Sequence, residues 1–530
     1  MWGTLPRVFD RACGFYPGRT ALIEADRRMS YAEMFGWANK IGNGLISLGV
    51  SHGDRVGLLM PNCLEFVPAM HGIWKAGAAL VQLAARASVD DLVLFLRTSE
   101  ATTLIYHGHF DDEVSLLRAQ LPGLRRFIRL AAGNDAAPAD LEQAAQIHAD
   151  LDYEEVFASA SSLPPKMVVE ETDLAFVAFT SGTTGLPKGV LQTHKTWSHY
   201  SITAGLDIAD IRPGEVFAHG GALSHFTQSF LMPTFIRGGT NVLLPSLDPD
   251  LLMEVIERER VSATAVVPTV LKMLVEHPGR AQAELSSLRT VVYSGSPMSP
   301  DALRRAIDVF GQIFVQTYAG TEQGYVSCLR KEEHCPDRPE IAGRLASAGR
   351  ALFPVDISIR DESGTALPPG TTGEIWTAQT GQMTGYVDPD LDEHGLREGW
   401  VYSGDIGYLD EAGYLYVVDR KKDMIVTGGI NVFPRQVEDI LATHPAVDRC
   451  AVIGVPHPKW GEAVKAVVVL SNTAPIPPQE LIELVKQRKG GAWTPKSIDF
   501  VESLPLTSSG KIDKKALRSP FWVEQQRQVN

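Results

Sequence analysis

Apolar runs too short to span anything but a sheet alternate with helical patterns from about residue 20 to 320. Thr264-Ala-Val-Val-Pro-Thr-Val270 and Val291-Val-Tyr-Ser-Gly295 read as buried strands. Pro300-Asp-Ala-Leu-Arg-Arg-Ala-Ile-Asp-Val-Phe310 reads as an amphipathic helix. The alternation predicts βαβ units around a largely parallel sheet. Between about 340 and 420 the rhythm changes to short strands split by turns such as Asp361-Glu-Ser-Gly364 and Asp410-Glu-Ala-Gly413, which predict antiparallel hairpins and a small barrel. After 430 the α/β pattern returns. Phe433 to Leu441 puts Val437, Ile440 and Leu441 on one helical face, and Cys450-Ala-Val-Ile-Gly-Val455 is an apolar strand, so a separate small α+β domain is expected.

Length and composition add limits to this picture. A chain of 530 residues exceeds what one core serves, while 44% hydrophobic and 21% charged residues are globular values. The net charge of -14 argues against a nucleic-acid partner. That charge is uneven: residues 421–530 carry 15 Lys/Arg against 11 Asp/Glu, a local +4, which leaves -18 on residues 1–420. The five cysteines, Cys13, Cys63, Cys328, Cys335 and Cys450, are scattered and never form a CxxC pair, as expected of reduced thiols. Arg7, Asp10 and Arg11 interrupt any apolar leader, and nowhere do 18 uncharged apolar residues run together. A cytoplasmic protein with no membrane span is expected.

Four segments carry candidate chemistry. Phe179-Thr-Ser-Gly-Thr-Thr-Gly-Leu-Pro-Lys-Gly-Val190 follows the apolar run Leu174 to Phe179. A strand opening into glycines, hydroxyl residues and one lysine supplies free N–H groups, O–H donors and a cation for polyphosphate oxygens. It is not a Walker A loop, because Pro187 precedes Lys188 and Gly189 follows it. In Gln316-Thr-Tyr-Ala-Gly-Thr-Glu322, a strand ending at Val315 would leave Tyr318, Thr321 and Glu322 on the loop at the ligand edge of an open sheet. The Tyr318 ring suits a purine, and the Glu322 carboxylate suits Mg²⁺. Asp405, in Trp400-Val-Tyr-Ser-Gly-Asp405-Ile-Gly, could accept both ribose hydroxyls or form an Asx turn. Finally, Leu504-Pro-Leu-Thr-Ser-Ser-Gly-Lys511 holds a lysine on a Gly/Ser/Thr loop able to reach a cleft, whereas Lys514, Lys515 and Arg518 read as solvating charges. The cluster Asp419-Arg-Lys-Lys-Asp423, taken alone, reads as an exposed turn.

In order and spacing these segments, with Gly428-Gly429, resemble the adenylate-forming superfamily of acyl- and aryl-CoA synthetases, over about residues 10 to 518. The resemblance implies an α/β fold: a large N-terminal domain (1–421) of two doubly wound α/β subdomains plus a small β-barrel, then a small mobile α+β domain (422–530). It implies an AMP-forming ligase that activates an apolar or aromatic carboxylic acid with ATP and Mg²⁺ and transfers the acyl group to coenzyme A. A free-standing enzyme loading a carrier-protein pantetheine and a silent nucleotide-binding relative are the alternatives; a homodimer is compatible with each.

By the same resemblance, Lys511 stabilises the adenylation transition state. Thr180, Ser181, Gly182, Thr183, Thr184 and Lys188 face the phosphates, with Thr183 and Lys188 at the pyrophosphoryl end. Thr321 meets the α-phosphate and Glu322 holds Mg²⁺. Tyr318 and the Gly295-Ser296-Pro297 turn flank adenine, Asp405 and Arg420 hold the ribose, Lys422 is the pivot of the C-terminal domain, Gly428 and Gly429 leave room for pantetheine, and His225 gates the acyl pocket. Three positions depart from the usual pattern: Ala319 adds a methyl beside the adenine and acyl sites, Trp493 stands in a basic position, and His457 replaces an aspartate.

Overall fold

The computed structural model describes residues 3–132, 150–180, 187–296, 298–338, 342–471, 476–506 and 512–522. The chain forms two compact units, Met1–Asp356 with Thr377–Val401, and Ile357–Trp376 with Tyr402–Asn530. The 421/422 boundary drawn from the sequence falls inside the second unit.

Two large sheets build the first unit. The nine-stranded sheet has a parallel interior made by Phe314–Gly320, Thr290–Tyr293, Ala263–Val266, Val216–His219, Thr240–Leu243 and Thr20–Glu24, with antiparallel strands at both ends. The eight-stranded sheet runs parallel from Leu174–Thr180 through Ala79–Gln82, Arg55–Leu59, Thr103–His107 and Arg126–Leu130 to Leu151–Asp152; Lys188–Thr193 and Gly385–Tyr386 add antiparallel strands at its other end. Interior strands are covered on both faces, so Ala263–Val266 and Thr290–Tyr293 are buried at every position, as continuous apolar runs require. One core cluster joins the two sheets through Leu22, Leu243, Ile105, Phe176 and the helix residues Met34, Ile41, Ile73 and Trp74.

The predicted helix Pro300–Phe310 forms with Ser299 as its N-cap, accepting from Ala302 N–H, and buries Leu303, Ala306 and Ile307. The predicted strand Thr264–Val270 is corrected: the strand stops at Val266, and Pro268 opens a helix, Pro268–Glu276. Proline's missing N–H costs nothing at a first helical position, so the residue that breaks the strand also starts the helix.

In the second unit, Trp400–Leu409 pairs antiparallel with Leu415–Arg420 in a five-stranded sheet. Asp410 closes their turn by accepting N–H groups of Ala412 (2.9 Å) and Tyr414 (2.8 Å), with Gly413 at φ 80°. A second five-stranded sheet is built on the long hairpin Val447–His457 and Gly461–Leu470. Helices Pro434–Leu441 and Pro478–Lys489 cover it, burying Val437, Leu441, Leu481 and Val485 with Val452 and Ala466. All five cysteines are free, and among the described residues no helix is long and apolar enough to cross a membrane.

Candidate active site

The candidate residues fall into two groups, one in each unit. Ser181, Gly182, Thr183, Thr184, Pro297 and Lys511 lie outside the described residues.

In the first unit, Thr180 ends its strand opposite Lys188, across the mouth of the glycine-rich hairpin. The Thr180 hydroxyl donates to Glu322 Oε1 at 2.8 Å, tying the glycine-rich hairpin to the second motif although 142 residues separate them. Gln192, two strand positions beyond Val190, donates to the Thr321 carbonyl at 3.1 Å. Met383 N–H donates to the Glu322 carbonyl at 2.8 Å. The backbone of this turn is thus held from two directions, and one Glu322 carboxylate oxygen is aimed by Thr180.

Lys188 is 8% exposed, with Nζ 5.1 Å from the centre of the Tyr386 ring. Burial, and secondarily the Glu322 carboxylate, push the Tyr386 hydroxyl pKa up, so Tyr386 stays neutral and faces the cation with its ring. The next residue, Gly189, is glycine because a Cβ there would sit 2.8 Å from Val387 Cγ2. Tyr386 was not foreseen from sequence: a tyrosine on a two-residue strand 198 positions from Lys188 has no local signature.

Tyr318 requires a correction. The strand does not end at Val315 but continues to Gly320, so Tyr318 and Ala319 are strand residues and only Thr321 to Gln323 form the turn. The cause is tertiary: Gly324–Leu329 returns antiparallel and pairs with this extension, with a register shift between Tyr318 and Ala319. Alongside, Ser294 donates to the Thr317 carbonyl at 2.9 Å, setting the Gly295-Ser296 turn, with Gly295 at φ 90°, next to the base of Tyr318.

His225 is exposed at the entrance of the short helix Phe226–Phe230, its Nδ1 3.0 Å from Ser224 Oγ. Behind it, Phe226 and Phe230 meet the Tyr325 ring at 6.4 and 6.2 Å. Tyr325 stacks on Tyr200 at 4.4 Å and 12° and shares a 2.7 Å hydrogen bond with Ser229. Burial raises the pKa of both tyrosines, so this aromatic wall carries no charge at neutral pH.

In the second unit, Asp405 is a strand residue and not an Asx turn. It is 9% exposed and lies opposite Arg420, whose Nε is 3.5 Å from its Oδ1. The 419–423 cluster is not a solvated turn either. Asp419 accepts N–H groups of Arg420 (2.7 Å) and Arg435 (2.8 Å), Lys421 pairs with Glu374 (3.1 Å), and Asp423 pairs with Arg518 (3.1 Å). Lys514 pairs with Glu438 at 2.7 Å. The reading of Lys514 and Arg518 as solvating charges is therefore corrected: their side chains are 17% and 14% exposed, and each closes an ion pair. Lys515 alone of the three is exposed. Lys422, by contrast, has its pKa lowered, first by burial and then by Arg420.

Burial raises the Asp419 carboxyl pKa to about 6 from 3.8. An acid whose pKa is raised by folding favours the folded state when protonated, so that contribution is complete below pH 3.8 and is lost as pH rises through about 6. The loss amounts to about 3 kcal/mol. Urea denaturation between pH 4 and 7 is expected to show this decline in the wild type and a flatter profile in Asp419→Asn; an unchanged profile would remove Asp419 as its source.

Gly428 and Gly429 take φ values of 57° and 80°, the left-handed region that glycine enters without strain. Gly428 N–H donates to the Trp460 carbonyl at 2.9 Å. Around Trp460 stand His457, stacked at 4.2 Å, and the Nζ atoms of Lys496 and Lys459, 5.2 and 6.0 Å from the ring. This aromatic and cationic patch beside the bare turn was missed; its one sequence signal was the His457 departure. At Trp493 the basic position is filled from elsewhere, with Lys489 Nζ 4.8 Å over the ring.

A lysine and a carboxylate are thus braced at the edges of two α/β sheets, and the second unit bears its own ion-paired cluster. The chain belongs to the AMP-binding enzyme family, within the adenylate-forming superfamily: that family's model matches residues 9–387, and the AMP-binding enzyme C-terminal domain matches 436–511. It is 36% identical over 511 residues to a feruloyl-CoA synthase of Amycolatopsis sp, across 95% of this chain and 96% of that protein. It is 35% identical over 523 residues to a medium/long-chain-fatty-acid–CoA ligase of Mycobacterium tuberculosis, across 96% and 88%. Among solved structures, an amide bond synthetase from Marinactinospora thermotolerans aligns at a TM-score of 0.85 with 29% identity, covering 97% of this chain and 99% of that one.

Proposed function

We propose that this enzyme joins an apolar or aromatic carboxylic acid to the thiol of coenzyme A in two half-reactions. A carboxylate oxygen of the acid attacks the α-phosphorus of ATP and pyrophosphate leaves. The CoA sulfur then attacks the acyl carbon, AMP leaves, and the thioester remains. The observation that carries the reading is the Thr180 to Glu322 hydrogen bond beside buried Lys188, which gathers a carboxylate, a hydroxyl and a cation from the edges of the two sheets.

Lys188 and Thr183 bind the pyrophosphoryl end, and Thr321 the α-phosphate. Glu322 suits Mg²⁺, since its carboxylate is a hard oxygen donor already oriented by Thr180. Bound there, the ion supplies positive charge against the triphosphate. Tyr318 with the Gly295 turn takes adenine, and Asp405 and Arg420 take the ribose. The C-terminal domain, residues 422–530, pivots at Lys422 against residues 1–421. Trp460, Lys459 and Lys496 beside Gly428 and Gly429 suit the anionic nucleotide end of CoA, which supports CoA as the acceptor. The uncharged wall of Tyr200, Tyr325, Phe226 and Phe230 supports a planar or apolar acid.

A panel of aryl, phenylpropenoic and aliphatic acids, assayed for pyrophosphate release with and without CoA, tests this. The expected result is acid-dependent release with a CoA thioester as product. Adenylate without thioester, captured only by a carrier-protein pantetheine, would replace the acceptor; no acid-dependent release would leave a silent nucleotide-binding protein.

A further inference from the structure

The segment that presents His225 is fastened on both sides by buried polar residues. Before it, Asn62 follows the strand Arg55–Leu59 of the eight-stranded sheet, yet its side chain is spent on the nine-stranded sheet. Asn62 Nδ2 donates to the carbonyls of Gly221 (2.8 Å) and Leu244 (2.9 Å), with His219 O further off at 3.3 Å, and Oδ1 accepts Leu223 N–H at 2.9 Å. After it, Thr227 Oγ1 lies 2.7 Å from His219 Nδ1, and His219 Nε2 lies 2.7 Å from Asn241 Oδ1. His219 is fully buried, and burial lowers its pKa to about 4, so it is neutral. A neutral imidazole has one N–H; Asn241 Oδ1 can only accept, so Nε2 donates there and Nδ1 accepts from the Thr227 hydroxyl. His225 stands two residues from each fastening point, with its own N–H on the Ala222 carbonyl at 3.0 Å.

We propose that Asn62 and the His219–Thr227 pair are positioning residues that hold His225 at the mouth of the acid site, so that acid selection depends on a side chain from the other sheet. This rests on the reading of His225 as the acyl gate. Neither residue touches substrate in this proposal; each acts through the backbone on either side of His225. Asn62 and His219, whose side-chain polar atoms all have partners, fix one backbone path, and removing a partner frees that path at the cost of an unpaired group.

The test is a set of double-mutant cycles on the full chain, measuring kcat and KM for the best acid and for ATP by pyrophosphate release. Asn62→Ala and Thr227→Val are each expected to raise the acid KM about tenfold while the ATP KM moves less than about twofold. In a His225→Ala background neither is expected to add more than about twofold, since residues acting through one group are non-additive. Multiplying effects in the double variants, or equal rises in both KM values, would overturn the positioning role while leaving the gate intact. An unchanged acid KM in His225→Ala alone would overturn the gate and the proposal with it. Thr227→Val keeps the side-chain volume, so it carries the same comparison if Asn62→Ala does not fold.

Discussion

Replacing Lys511 by alanine is expected to slow acid-dependent pyrophosphate release by about 10²–10³-fold, the usual loss when a donor aimed at developing transition-state charge is removed. Thioester formation from a supplied acyl adenylate is expected to stay within about threefold of wild type, because the triphosphate that Lys511 is proposed to neutralise is gone by then. The two rates are measured separately, one by pyrophosphate release and one by consumption of synthetic acyl adenylate with CoA. Equal loss of both would remove Lys511 from its assigned step.

Lys422→Pro is expected to divide the half-reactions the other way. Lys422 lies in the single turn Lys421–Asp423, with Asp423 held by Arg518 and the Lys422 carbonyl accepting from Arg518 at 3.5 Å. Proline fixes φ and removes the N–H, so a chain that must change its dihedrals at this residue loses that freedom. Thioester formation is expected to fall on the order of a hundredfold, about 3 kcal/mol of barrier, with adenylation largely retained. Unchanged thiolation would refute a pivot at this position. The ion pairs Asp423–Arg518 and Lys514–Glu438 join helix Lys514–Arg518, which begins three residues after Lys511, to the 419–423 segment and helix Pro434–Leu441. A rotation at 422 would carry that helix as one body with the hairpin it packs on.

Much of the chemistry was written locally. A strand feeding a glycine and hydroxyl loop with one lysine, and the Tyr318 to Glu322 run, could each be singled out within about a dozen residues, because the phosphate binding expected of them needs contiguous backbone N–H groups and small side chains. Helix Pro300–Phe310 was legible for a similar reason, since its cap, its first-turn proline and its apolar stripe all lie inside one segment.

Other features depended on a partner far along the chain. Lys514 and Arg518 look like any exposed basic run until Glu438 and Asp423 are brought against them. Tyr318 looks like a loop residue until Gly324–Leu329 turns back to pair with its strand. Asn62 and Tyr386 carry no pattern at all, for a buried polar residue is defined by the groups it satisfies, and those are 157 or more residues away. By itself, then, the sequence determined the α/β class and the order of the motifs, resting on short-range backbone preference and side-chain periodicity. Only the tertiary structure decided which carboxylate Thr180 aims, which ring covers Lys188 and what fastens the loop of His225, because hydrogen bonds and ion pairs of that kind are set by proximity in space.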